Sequence, residues 1–190
     1  AGLSLAPLLT LGALLGSPLS AQAPNGPLIA KAAASQIGVT TIYDPAYVRL
    51  AFPNGDIPLE RGVCADVVVR ALRTIGIDLQ AEVNKDLRAN FSKYPQLWGL
   101  RGADRNIDHR RVPNLMRFFE RQGKKLAADA KLQAGDIVAW RLPGGLYHIG
   151  IVAAEKVART DRPMMIHNIG QGAQREDVLF SFEILGRYRW

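Results

Sequence analysis

The spacing of apolar residues changes character along this chain, from helical in its first two thirds to strand-like in its last third. "PLIAKAAASQIG", residues 27–38, reads as a short alanine-rich helix closed by Gly38. "TTIYDPAYVRLAFPNGDIP" follows, with turn signals at Asp44-Pro45 and Pro53-Asn54-Gly55. From Cys64 onward, Val67, Val68, Ala71, Leu72 and Ile75 recur at helical spacing while Arg70 and Arg73 fall on the other side, and Gly76 suits the residue after a helix end. The valines would also fit a strand, but the run is long for one and the arginine spacing favours a helix with Cys64 at or just inside its N-terminus. Residues 84–111 read as irregular, polar and aromatic. "VPNLMRFFERQGKKL" then sets Val112, Leu115, Met116 and Phe119 on one helical face, with Gly123 as the stop.

Beyond that point the texture is β. "GDIVAW", "YHIGIVAAE", "RPMMIHNIG" and "VLFSFEILGRYRW" are short apolar runs divided by Pro, Gly and charged turns. Helices first and an antiparallel-looking sheet afterwards define an α+β arrangement. No internal repeat or linker divides it, so residues 24–190 are expected to form a single domain. Residues 1–23 read as a partial, cleaved signal peptide: "LSLAPLLTLGALLG" has the length of a signal core, and Ala21-Gln22-Ala23 is an A-x-A cleavage pattern. As an anchor, the stretch falls short of the ~20 apolar residues a span needs, and Pro7, Gly12, Gly16 and Pro18 interrupt it. The expectation is a periplasmic or secreted monomer with no stable membrane span. With 48% apolar residues and a mean hydropathy near zero, the composition is that of a globular protein. The net charge of +7 would draw it modestly toward anionic polymers or surfaces, and equally describes solvated surface arginines. No nucleic-acid motif accompanies it.

Cys64 is the only cysteine. In an oxidising compartment it cannot make an internal disulfide, so it is an intermolecular bridge, a free reactive thiol, or a buried inert residue. A helix N-terminus offers unpartnered N–H groups and partial positive charge, which favour the thiolate and lower its pKa. The same groups can hold a developing oxyanion. A base is needed, and His148 in "HIGIV" and His167 in "MMIHNIG" lie on consecutive predicted strands whose hairpin can bring the rings together. One would accept the thiol proton and the other would fix its tautomer and orientation. Asn168 competes for the orienting role, but strand alternation puts it on the face opposite His167.

Asp66, near the helix N-terminus, stabilises it electrostatically and is expected to face away from the thiol. "DRNIDHRR" is dense in polar groups: Asp104, Arg105, Asp108, His109 and Arg110 form either a pocket that grips a carboxylate or a salt-bridge network holding a long loop. Phe91, Tyr94 and Trp98 either line a groove or pack that loop down. The substrate-binding candidates are Asp66, Asp108, His109, Arg110 and Trp98. Cys64, His148 and His167 would also make a catalytic zinc set with an open position, although their spacing lacks a compact zinc signature. The favoured reading is a cofactor-free cysteine hydrolase.

A cysteine at a helix start, then "GDIVAW", "HIGIV" and "MIH", resembles the NlpC-type papain-like cysteine peptidases of bacterial cell walls. "PNGDIPLERGVCADVVVRA", "DRNIDHRR", "HIGIV" and "HNIG" more closely resemble an exported bacterial family, domain of unknown function twelve eighty-seven, in the same superfamily; the likeness spans residues 40–190. It implies a papain-like fold with N-terminal helices packed on a C-terminal sheet, Cys64 as nucleophile, His148 as base and His167 as orienting residue. The implied substrate is an amide or peptide bond of peptidoglycan. Val63-Cys64-Ala65 departs from the D-C-S common in the superfamily, and the 84–111 insertion and 153–163 hairpin are long. A non-catalytic cell-envelope binding module of the same fold is the other reading.

Overall fold

In the computed structural model, which describes Gly2 and residues 25–190, helix α1 (Asn25–Ala34) is followed by two short parallel strands, β1 (Ile42–Tyr43) and β2 (Arg61–Gly62). Helices α2 (Cys64–Arg73) and α3 (Leu79–Ala89) come next, then single 3-10 turns at Phe91–Lys93 and Asp108–Arg110, then helix α4 (Val112–Arg121). The signal peptide expected at 1–23 lies outside the described residues, Gly2 apart. Among the described residues no helix is long and apolar enough to cross a membrane.

Helix α2 begins where the apolar spacing predicts, at Cys64. Val63 is extended, and its N–H donates to the Asp66 carboxylate at 2.7 Å, so the third residue of the helix reaches back to close the first turn. Val67, Val68, Ala71 and Leu72 are fully buried, and Gly76 leaves the helix with φ +81°. Such a conformation is open to glycine at little cost. Helix α3 was not expected. Asp78 caps it by accepting the Gln80 N–H at 3.0 Å, and Leu79, Val83 and Leu87 bury a stripe one residue wide. So narrow a stripe among polar residues gives a weak periodic signal, and the irregular reading of 84–111 is corrected for its first turns.

The C-terminal part forms β3 (Ile137–Arg141), β4 (Tyr147–Lys156), β5 (Pro163–His167), β6 (Gln174–Glu176) and β7 (Glu183–Tyr188). They make an antiparallel sheet in the order β6-β5-β4-β3-β7. The fold is therefore α+β, with the helices packed on a C-terminal antiparallel sheet, as expected. The run 178–190 is strand only at Glu183–Tyr188, and β6, all exposed, has no apolar alternation to announce it. Alternation sorts the sheet into two faces. Ile137, Ala139, Ile149, Ile151 and Ile166 join α1, α2 and α4 in the main core. Val138, Trp140, Val152 and Met165 pack with Leu179 on the other face.

Candidate active site

Cys64 is the first residue of α2 and is 6% exposed. Its sulfur accepts a hydrogen bond from the Ile149 N–H on β4, and the N–H groups of Ala65 and Cys64 itself also favour the thiolate. Burial acts against them and wins, with the Asp66 charge adding to it: the thiol is pushed up from 9.0 to about 12. This corrects the expectation of a lowered pKa, because the helix terminus is itself covered. Tyr43 of β1 stands close enough for Cys64 and Asp66 to add to the rise that burial imposes on its phenol. Nothing in the sequence pattern singles it out, since β1 has only two residues.

The two imidazoles meet directly. His148, second residue of β4, and His167, last residue of β5, are 2% and 0% exposed, and His148 Nε2 lies 2.8 Å from His167 Nδ1. Their ring centroids are 5.0 Å apart at 71°, while Trp140 stacks on His148 at 5.6 Å and 24°. The register that opposes Gly150 to His167 sets this pairing. Gly150 is required there: a Cβ would stand 2.9 Å from the Ile166 oxygen, 3.0 Å from His167 Cβ and 3.2 Å from the Trp140 ring. His167 Nε2 in turn lies 2.8 Å from Glu176 Oε2 on β6, a partner the sequence reading did not include. Burial, then the neighbouring His167, depresses His148 to about 3. His167 is lowered by burial against the opposing pull of Glu176. Both rings are therefore neutral near pH 7. The His148–His167 contact occupies Nε2 of His148 and leaves Nδ1 outside it. Among the described residues the thiol makes no hydrogen bond to either ring, its near neighbour being the amide next to His148.

Asn168, buried, donates to the Gly62 oxygen at 3.0 Å and ties the end of β5 to the segment leading into α2. It draws the end of β5 to the entry of α2 without touching an imidazole. Among the described residues no three His, Cys, Asp or Glu side chains are grouped to hold a metal ion; Nε2 of His148 and Nδ1 of His167 face each other instead of converging.

Four of the five substrate-binding candidates have inward-facing roles. Asp66 and Arg110 form a two-pronged ion pair, Nε–Oδ1 and Nη2–Oδ2 both at 2.9 Å, with side chains 5% and 2% exposed. Arg110 also donates to the Ala46 and Asp44 oxygens at 3.1 and 3.0 Å, so its fork is filled by the protein. Asp108 accepts from the Asp104 N–H at 2.6 Å and from Arg111 and Asn114, and burial raises its pKa. His109 is 2% exposed and depressed to about 4, first by burial. A substrate reaches none of these four unless the loop parts, and of the two readings of this polar segment Asp66, Asp108 and Arg110 take the salt-bridge network, with His109 buried beside it. Trp98 is 38% exposed, with the Arg111 guanidinium 4.2 Å from its ring. The insertion does carry a cleft of about 820 Å³, but its polar walls include Tyr47, Arg88, Arg101 and Arg105.

Residues 30–190 match the model of the family described as Domain of unknown function (DUF1287), and the chain belongs to that family. It is 54% identical over 172 residues to the uncharacterized protein YijF of Escherichia coli (strain K12), covering 89% of this chain and 83% of that protein. Among solved structures it is similar to NlpC1 from Trichomonas vaginalis at 13% identity and a TM-score of 0.48; the likeness covers 88% of this chain and spans 45% of that one.

Proposed function

We propose that the protein is an exported cysteine hydrolase that cleaves an amide or peptide bond, with peptidoglycan as the substrate. The observation that carries the reading is the 2.8 Å contact between two buried, neutral imidazoles, the first of them next in sequence to Ile149, whose N–H reaches the thiol at the N-terminus of α2. Neutral His148 supplies the lone pair that takes the proton; held at about 3 it is a weak base at rest, so the transfer is driven by bond formation at the carbonyl, and the imidazole of His167 holds the ring in place. Since the resting thiol is protonated near pH 7, the nucleophile is generated during attack, not stored as a thiolate. The Cys64 proton passes to His148 Nδ1 as the sulfur bonds to the substrate carbonyl carbon. The N–H groups around Cys64 are suited to hold the resulting oxyanion. Collapse expels the amine, which takes its proton from His148 and leaves a thioester; His148 then draws a proton from water as that water attacks, and the acid and free thiol are released. The resemblance to cell-wall peptidases supports the substrate and the signal-like N-terminal segment supports export.

The test is incubation of purified protein with defined muropeptides, with products read by mass spectrometry. The wild type should release fragments, and Cys64→Ala should release none while keeping its unfolding midpoint. An Ala variant that cleaves equally overturns the mechanism, and a wild type that leaves every muropeptide intact overturns the substrate.

A further inference from the structure

Glu176 sits on the edge strand β6 with its side chain 46% exposed, yet its Oε2 lies 2.8 Å from Nε2 of a His167 side chain that has no exposure at all. Register explains how an exposed carboxylate reaches a buried ring: β6 pairs Gln174 with His167 and Glu176 with Met165, so Glu176 lies one alternation along from the imidazole. The contact is not an ordinary surface ion pair. Burial keeps His167 neutral against the pull of Glu176, so the carboxylate meets a neutral imidazole that has a single proton to place. An ionised carboxylate only accepts. That proton therefore belongs on Nε2, which leaves Nδ1 of His167 as a lone pair. His148 Nε2, 2.8 Å from that lone pair, must then be the donor, and the lone pair of His148 is left on Nδ1.

We propose that Glu176 is the positioning residue that sets the direction of this hydrogen-bonded chain, fixing the tautomers of His167 and, through it, of His148. Without it, His167 is free to carry its proton on Nδ1. His148 Nε2 would then accept, its proton would move to Nδ1, and the nitrogen available to Cys64 would be a donor where a base is required. Glu176 touches neither thiol nor substrate, and its effect passes wholly through His167. The inference deepens the hydrolase reading and rests on it for the rate consequence, though not for the tautomer consequence.

Histidine ¹⁵N resonances distinguish protonated from unprotonated ring nitrogens, so the tautomers are readable in the resting protein. In the wild type near pH 7, His148 and His167 should each show a protonated Nε2 and a lone-pair Nδ1. Glu176→Ala should mix or invert both patterns, and kcat/KM should fall by about 10- to 100-fold, the size seen when the outer hydrogen-bond partner of a metal-bound histidine is lost. Glu176→Gln, which retains an acceptor oxygen of the same reach, should restore the wild-type tautomers in large part. Exposure of Glu176 leaves both variants able to fold, and a thermal unfolding curve checks this. Unchanged ¹⁵N patterns in Glu176→Ala overturn the inference whatever the activity does. Activity surviving in Cys64→Ala overturns only the hydrolase reading and leaves the tautomer result standing.

Discussion

Cys64 brings two opposing effects to one atom. A helix N-terminus favours a nearby negative charge by ~0.3–1 kcal/mol, whereas a rise from 9.0 to about 12 works against it at about 1.4 kcal/mol for each pKa unit. Burial decides the resting state, so an uncharged thiol faces an uncharged imidazole. Asp66 contributes to this by lying behind the sulfur, and its own charge is held by Arg110. That pair is more than a surface contact. Removing the guanidinium leaves a carboxylate 5% exposed with the Val63 N–H as its remaining close donor, and stranding a buried charge costs about 3–5 kcal/mol. Arg110→Ala should therefore lower the free energy of unfolding by that amount in urea titrations. Arg110→Lys should recover little of it, because a single ammonium cannot reproduce the two-pronged contact or reach the Ala46 and Asp44 oxygens together. A loss under about 1 kcal/mol would show that the pair is dispensable.

At the scale of elements, strand register does the work of assembling the histidines. Gly150 is the narrow point, since a methyl group there meets the Ile166 carbonyl, Cβ of His167 and the ring of Trp140. Gly150→Ala should cost about 1–3 kcal/mol, as overpacking does in a filled interior, and should part the imidazoles; calorimetric melting and turnover together would register both. Equal melting and turnover would mean that the strands shift apart freely. What the sequence made legible follows from signal strength. The α2 stripe is broad, so its start at Cys64 was readable, and "HIGIV" and "MMIH" are apolar runs set off by turns clearly enough to pair His148 with His167. The stripe of α3 is a single residue wide. Strand β6 is polar throughout and exists because β5 offers it an edge, so Glu176 could not be picked from among the acidic residues by pattern. The partnership of Asp66 with Arg110 joins residues 44 positions apart. Its polar types fit a substrate pocket and an internal salt-bridge network equally, and the packing of the loop against α2 decides for the second.

For the molecule as a whole, buried imidazoles tie stability to acidity. His148 is depressed to about 3 and His109 to about 4, in both cases first by burial, while both would titrate near 6.5 in the unfolded chain. Between pH 6.5 and 4 the unfolded state therefore binds protons that the folded state refuses. Stability rises with pH wherever the unfolded state holds the extra protons, so this contribution is complete above 6.5 and is lost progressively as pH falls toward the folded values. Each histidine adds a slope of up to about 1.4 kcal/mol per pH unit in that window. His109 offers the cleaner test, because its Nδ1 is buried without a partner among the described residues and it takes no part in the His148–His167 contact. Urea unfolding of the wild type at pH 7, 6, 5 and 4.5 should show stability dropping at each step. His109→Gln should flatten the slope by about one proton's worth, leaving the share that belongs to His148 and His167. A variant slope as steep as the wild type's would mean that loop 104–111 opens in acid and admits the proton without unfolding, and burial of His109 would then have no hold on the stability of the fold.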